Sequence, residues 1–236
     1  TDGYSIPYYL STAVASATYL FAGLFFVYRT LCIFVQSRIS LLATISIWLA
    51  SPLIYFSFIR QRMAHTSEFF LAAVLIFIWI RVRQSSKPTH HALIGIILGW
   101  LCMIRIINIS FFALFVIDIL WGLREEFRID PSGAIKKFFV LTGTLGGFFF
   151  ITMLPQIYCW YQLNGVPFPP RHMKYAGDGL TGINLGSLSE NIYALFFDAK
   201  WGLLFSMPLG VLGLMGLFVK ENFSRNFSPG LFAYLL

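Results

Sequence analysis

Long apolar runs separated by short charged interruptions dominate this chain. The runs lie at about residues 8–28, 39–58, 69–80, 138–158 and 201–219, and another begins at Leu231. A transmembrane helix needs about 20 predominantly apolar residues, so most of these runs are long enough to span a membrane. The pattern therefore predicts an all-α, polytopic transmembrane helical bundle.

The apolar stretch from Ala92 to Leu123 needs a different interpretation, because Arg105 lies near its middle. A single helix over this stretch would be about 48 Å long, against an apolar bilayer core of about 30 Å. It would also hold a cation deep in lipid, which is costly. We therefore predict two short helices that meet near Arg105 at one membrane face.

The distribution of Lys and Arg supports this choice, since cytoplasmic loops are enriched in both. Two short helices place eleven basic residues on one side and six on the other, whereas one long helix divides the loop cations equally. The resulting topology has about seven to eight spans. It puts residues 59–68, the turn around Arg105 and one long loop, residues 159–200, on the outer side.

The composition excludes an ordinary soluble domain. Hydrophobic residues make up 58% of the chain and charged residues 11%, and the mean hydropathy is +0.74. The net charge of +7 is spread over short clusters between apolar runs, so the predicted partner is a lipid bilayer and not a nucleic acid. We expect residues 1–236 to form a single transmembrane domain of a multi-pass protein of the cell (inner) membrane. We also expect the chain to be a fragment, since it starts at Thr1 without a Met and ends inside an apolar run.

The predicted outer turn at residues 59–68 concentrates ionisable groups. His65 can exchange a proton near neutral pH, Glu68 can act as a base or hold a cation, and Arg62 can pair with a phosphate. The alternative is a solvated loop in which Thr66 or Ser67 caps the next helix and Glu68 favours the helix dipole.

Two further cations are candidate phosphate ligands. Arg105 is costly in its apolar surroundings unless it meets an anion or a water-filled cavity, and the alternative is an arginine that snorkels to headgroups. Lys200 precedes the apolar run at 201–219 and faces the outer side in the predicted topology. Asp118 is either part of a proton path or a paired structural group.

Small residues at helical spacing predict close helix contacts. Gly95 and Gly99 form one such pair, and Gly143 and Gly147 form another. The sequence contains no phosphate-binding loop, dinucleotide fingerprint or zinc-protease motif, so nucleotide and zinc-hydrolase classes have no support.

Several segments, taken in order, resemble those of bacterial GT-C-type membrane glycosyltransferases, relatives of the protein O-mannosyltransferases and aminoarabinose transferases. The segments are 52–56 (PLIYF), 63–70 (MAHTSEFF), the run from Gly95 to Arg105, 155–167 (PQIYCWYQLNGVP) and 197–209 (FDAKWGLLFSMPL). The similarity covers most of the chain and rests on the order of motifs and on hydropathy.

The resemblance implies an enzyme that transfers a sugar from a polyprenyl-phosphate donor to a glycan, lipid or protein acceptor on the outer face of the membrane. It implies that an acidic base lies in a loop before Thr1, so no catalytic residue is assigned within this chain. Arg62, Arg105 and Lys200 would bind the donor phosphate, whereas His65 and Glu68 would shape the cavity or help bind a divalent cation. A divalent cation is thus the one candidate cofactor.

Two other functions stay open at this point. The protein could be a transporter or flippase for a lipid-linked or anionic solute, using Arg105 and Asp118. It could also be a non-catalytic scaffold whose glycine-lined faces bind partners. The enzyme is the preferred interpretation.

Overall fold

The computed structural model describes residues 5–60, 63–83 and 85–168, together with Tyr193 and Phe197. In this part of the chain the regular elements are all helices, as predicted. The helices are α1 (Ile6–Leu31), α2 (Ser37–Leu49), α3 (Leu53–Phe58), α4 (His65–Val82), α5 (Pro88–Ile104), a 3-10 turn (Ile106–Ile109), α6 (Ser110–Gly122), α7 (Arg124–Ile129) and α8 (Pro131–Asn164). Proline lies in the first turns of α1, α5 and α8, where its missing N–H costs no hydrogen bond.

Three of these helices are long and apolar enough to cross a membrane. They are α1 with 26 residues, α4 with 18 and α8 with 34. Only 22% of the most apolar window of each helix is buried, so most of its side chains face outward, as expected where lipid is the solvent. The described helices therefore have the character of a membrane protein.

The number of long helices is smaller than the seven to eight spans predicted. Two of the predicted spans, at 201–219 and from Leu231 onward, lie outside the described residues. Others are shorter than a full span: α2 has 13 residues, α5 has 17 and α6 has 13. The predicted span at 39–58 is divided into α2 and α3 near Pro52, because proline cannot continue the hydrogen bonding of a helix.

Two predicted boundaries were wrong. The outer turn ends earlier than expected, since α4 begins at His65 and includes Glu68 in its first turn. The predicted long loop begins later, because α8 continues through Asn164 and ends at Gly165, whose φ of 71° lies in the left-handed region that glycine adopts readily.

The core lies around α5, which packs between α4 and α8. Its buried side chains come from four helices, and they include Leu75 and Trp79 of α4, Leu98 of α5, Phe115 of α6 and Leu145 of α8. This packing brings the C-terminal end of α5 beside the first turn of α4, where the candidate site lies.

Gly95 and Gly99 of α5 let this helix pack closely against α8. A Cβ atom at Gly95 would lie 2.3 Å from the carbonyl oxygen of Leu145, and one at Gly99 would lie 2.6 Å from Cβ of Thr152. Gly95 lies level with Leu145 and Gly99 with Thr152, so α5 and α8 run in the same direction. For the second predicted pair, Gly143 and Gly147, none of the described residues lies within 4 Å of an added Cβ, so the contact predicted for this pair stays a prediction.

Asp130 caps the N-terminus of α8. Its carboxylate Oδ1 accepts hydrogen bonds from the backbone N–H of Gly133 at 3.1 Å and from the hydroxyl of Ser132 at 2.8 Å. These hydrogen bonds lower the pKa of the Asp130 carboxyl below its ordinary value of 3.8, the bond from Gly133 most of all.

Replacing Asp130 by alanine is therefore expected to lower the thermal midpoint of unfolding, with a smaller loss for Asp130→Asn, which keeps an acceptor oxygen. Because the folded pKa is depressed, the stabilisation is present above the ordinary pKa and is lost as the pH falls through the folded value. The difference between wild type and Asp130→Ala should thus be present at pH 7 and vanish in strong acid. Equal midpoints at pH 7 would contradict the assigned cap.

Candidate functional site

The apolar stretch that contains Arg105 is interrupted at that residue, as predicted. Helix α5 ends at Ile104, and Arg105 has an extended backbone with φ −148° and ψ 118°. The backbone N–H of Arg105 still donates to Leu101 at 3.2 Å, and its carbonyl accepts from the N–H of Asn108 at 3.1 Å. The chain then turns through residues 106–109 into α6, so Arg105 and Asn108 lie together at one end of the bundle.

Glu68 lies opposite this break, in the first turn of α4. A carboxylate is favoured there by the positive end of the helix dipole. The hydroxyl of Thr66, two residues before Glu68, pairs at 3.0 Å with that of Ser16, which fixes the start of α4 against the middle of α1. Thr66 is thus engaged with α1, and Ser67 donates to the carbonyl of Ala64, so neither side chain is the predicted helix cap.

The Glu68 carboxylate joins the two sides of the site. Its Oε1 accepts a hydrogen bond from Nδ2 of Asn108 at 2.9 Å, and its Oε2 accepts one from Nη1 of Arg105 at 3.4 Å. The Glu68 side chain is 16% exposed, whereas that of Arg105 is 51% exposed. The carboxylate is therefore held by its neighbours, while about half of the Arg105 side chain is exposed.

His65 lies near the same carboxylate oxygen as Arg105. Its Nδ1 lies 3.7 Å from Oε2 of Glu68, one turn along α4. Its ring lies over the ring of Phe56 in α3, with centroids 3.9 Å apart and the planes tilted by 32°. The imidazole is thus fixed between an aromatic face and a carboxylate.

Three of the five predicted site residues meet here: His65, Glu68 and Arg105. The other two, Arg62 and Lys200, lie outside the described residues, so the predicted convergence of three cations remains a prediction. Two contributors were not among the predicted ligands. Asn108 had a signal, since it is a polar residue one turn after Arg105 in an apolar stretch, whereas Phe56 had none beyond its position in an aromatic segment.

Asp118 lies at the opposite end of the bundle from this cluster. Its Oδ2 accepts a hydrogen bond from the indole N–H of Trp79 at 2.9 Å, and Trp79 is 2% exposed. Glu68 and Trp79 are eleven residues apart on α4, or about 16 Å along a helix. The observed pairing agrees with the structural alternative for Asp118.

The cluster combines an exposed cation, a held carboxylate and an imidazole within the reach of one small molecule. Arg105 has donors left for an anion, since a guanidinium carries five N–H groups and only one nitrogen faces Glu68. His65 and Glu68 supply two potential metal ligands, and among the described side chains no group of three or more His, Cys, Asp or Glu could hold a metal ion.

Comparisons of the chain with models of protein families, with curated proteins and with solved structures found no match.

Proposed function

We propose that the protein is a multi-pass membrane glycosyltransferase that moves a sugar from a polyprenyl-phosphate donor to an acceptor on the outer face of the cell membrane. The observation that carries the proposal is the position of Arg105. It lies at a helix break and pairs with Glu68, and its side chain is still 51% exposed. A leaving phosphate gains charge as the glycosidic bond breaks, and a preorganised guanidinium stabilises that charge.

The charges of the described helices support an outer location for this cluster. All described Lys and Arg residues except Arg60 and Arg105 lie at or near the opposite helix ends, where α1 and α4 finish and α2, α5 and α8 begin. Under the positive-inside rule that end faces the cytoplasm. The cluster would then open toward the outer leaflet, where lipid-linked sugars present their phosphates.

The proposed role of each site residue follows from the exposure of its side chain and from the groups that it contacts. Arg105 binds the donor phosphate, and Arg62 and Lys200 add charge to the same anion. Glu68 and Asn108 hold Arg105 in place. His65 lines the cavity beside them. A divalent cation, if used, would take His65 and Glu68 as ligands.

The test is an assay with the full-length protein in proteoliposomes. Labelled polyprenyl-phosphate hexoses and pentoses are supplied in turn, with a membrane lipid extract as acceptor, and the release of free polyprenyl phosphate is measured. We expect release from at least one donor. No release from any of them, by protein that is folded and correctly oriented, would reject the proposal.

One observation favours a second candidate function, a transporter or flippase for an anionic or lipid-linked solute. Interrupted helices with a charged group at the break are typical substrate sites of secondary transporters, and the break at Arg105 has this form. Solute flux in the same proteoliposomes without any sugar donor would support that function instead.

A further inference from the structure

We propose that Arg29 and Arg81 form a binding site for the headgroup of one anionic phospholipid, in the leaflet opposite to that of the Arg105 cluster. Arg29 lies in the last turn of α1 and Arg81 in the last turn of α4, about 20 Å along that helix from Glu68. Both side chains are exposed. The inference does not depend on sugar transfer, because the site lies far from the candidate transfer site and its ligand is a lipid of the bilayer itself.

Helices α1 and α4 pack against each other just before these two arginines. The ring centroids of Phe26 in α1 and Phe77 in α4 are 5.3 Å apart across the interface. Arg29 follows Phe26 by three residues, and Arg81 follows its own helix's contact residue by four. These spacings keep two residues on one face of a helix. The two arginine side chains therefore leave their helices beside the same contact, within reach of one headgroup.

Aromatic rings position both guanidinium groups. The central carbon of the Arg81 guanidinium lies 4.7 Å from the ring centroid of Phe77. That of Arg29 lies 5.9 Å from the ring centroid of Phe25. A guanidinium over an aromatic face is attracted by the ring, and its N–H donors still point outward in its own plane. The rings therefore restrain the two cations without neutralising them.

The two arginines have no carboxylate partner among the described residues, whose ion pairs include neither Arg29 nor Arg81. Residues 3–117 contain one acidic side chain, that of Glu68, which lies in the first turn of α4 at the opposite end. The next acidic residue, Asp118, already accepts a hydrogen bond from α4. The two positive charges therefore lack a counter-ion within the described chain, and an external anion would supply one.

Helix α7 gives a contrast at the same end of the bundle. Arg124 and Arg128 each lie 3.4 Å from a carboxylate oxygen of Glu125. The guanidinium of Arg124 also lies over an aromatic ring, that of Trp121, at 4.8 Å from its centroid. Arg124 thus shares the ring contact of Arg81 but has a carboxylate partner in addition, which makes it the matched control.

A phospholipid fits this surface better than a free phosphate ion. Phe25 is 54% exposed, and Phe21, one turn earlier on α1, is 58% exposed. Both rings belong to a helix that is long and apolar enough to cross a membrane. An acyl chain can pack against these rings while the phosphate of the same lipid accepts hydrogen bonds from Arg29 and Arg81.

The test measures the binding of lipid to the full-length protein in a mild neutral detergent. Phosphatidylglycerol is titrated, and the bound lipid is counted by native mass spectrometry. Phosphatidylcholine is the comparison without net charge, and glycerol phosphate supplies the anion without acyl chains. The variants are Arg29→Gln and Arg81→Gln, singly and together, with Arg124→Gln as the control.

We expect the wild type to bind one phosphatidylglycerol more tightly than either comparison ligand. Each single glutamine variant should bind it about 5-fold more weakly and the double variant about 30-fold, because each cation contributes separately to the attraction of an anionic headgroup. Arg124→Gln should bind phosphatidylglycerol as the wild type does. Thermal unfolding without added lipid checks that each variant is folded, and the single variants suffice if the double variant is not.

Three results would overturn the inference. Equal affinity of the wild type for phosphatidylcholine would mean that the headgroup charge is not recognised. Equal affinity for glycerol phosphate would make the ligand a free anion and not a lipid. An equal loss of binding in Arg124→Gln and in the single variants would show that only the general positive charge of this end attracts the lipid.

Discussion

Replacing Arg105 by alanine in the full-length protein is expected to reduce sugar transfer about 10²–10³-fold, the usual cost of removing one preorganised group that stabilises a developing anion. Expression should stay intact, because the ion pair with Glu68 involves a half-exposed side chain and such pairs stabilise a fold by about 1 kcal/mol or less. Glu68 also keeps its hydrogen bond from Asn108. The measurement is the release of polyprenyl phosphate at equal protein concentration.

Two further variants sharpen this prediction. Arg105→Lys should retain part of the activity, since lysine supplies a point charge without the planar fork that grips a phosphate. Arg128→Ala is the control, because Arg128 is 79% exposed, is also paired with a glutamate and lies at the opposite end of the bundle. Unchanged transfer by Arg105→Ala, or an equal loss in Arg128→Ala, would refute the assigned role of Arg105.

The break at Arg105 could be predicted from the sequence because two independent arguments oppose an unbroken helix. A helix through residues 92–123 would be too long for the bilayer, and it would bury a cation in lipid. The all-helical fold followed from the long apolar runs in the same way. Each of these conclusions depends on local composition, which a single sequence contains.

The partners of Arg105 could not be predicted in the same way. Its contact with Glu68 joins residues 37 positions apart and depends on how α4 packs against α5. The predicted topology placed Arg105 and Glu68 on the outer side of the membrane, but it did not predict the distance between them. The stacking of Phe56 on His65 depends similarly on how α3 packs against α4.

The wrong helix boundaries have a local physical cause. The predicted span at the end of α8 stops near Tyr158, whereas the helix continues through the next six residues, CWYQLN, and ends only at Gly165. Hydropathy marks where side chains can meet lipid, while helix termination is set by backbone conformation. A helix that leaves the membrane therefore extends past its apolar segment.

The two glycine pairs show the same limit. Gly95 with Gly99 and Gly143 with Gly147 have identical spacing, and among the described residues only the first pair meets a neighbouring helix. Spacing shows which residues share a helix face, but it does not show which face is covered.

The close contact at Gly95 leads to a second prediction, a large loss of stability when a side chain is added there. Gly95→Ala should destabilise the protein by about 1–3 kcal/mol, the usual cost of overpacking a close contact. The added Cβ would lie 2.3 Å from the carbonyl oxygen of Leu145 and 3.1 Å from the backbone N of Phe149, so α8 itself would have to shift. Gly99→Ala should also destabilise the protein, because its nearest atom, Cβ of Thr152 at 2.6 Å, is attached directly to the backbone of α8.

The matched control is Gly143→Ala, the same chemical change in the interior of a helix. None of the described residues lies within 4 Å of the added Cβ, and alanine favours a helix over glycine by up to about 1 kcal/mol, so this variant should be neutral or slightly more stable. Thermal unfolding in a mild detergent measures both changes. Because the intrinsic helix preference favours alanine at both positions, a loss confined to Gly95→Ala can only come from the contact between α5 and α8. Equal midpoints for the two variants would show that the helices do not pack this closely.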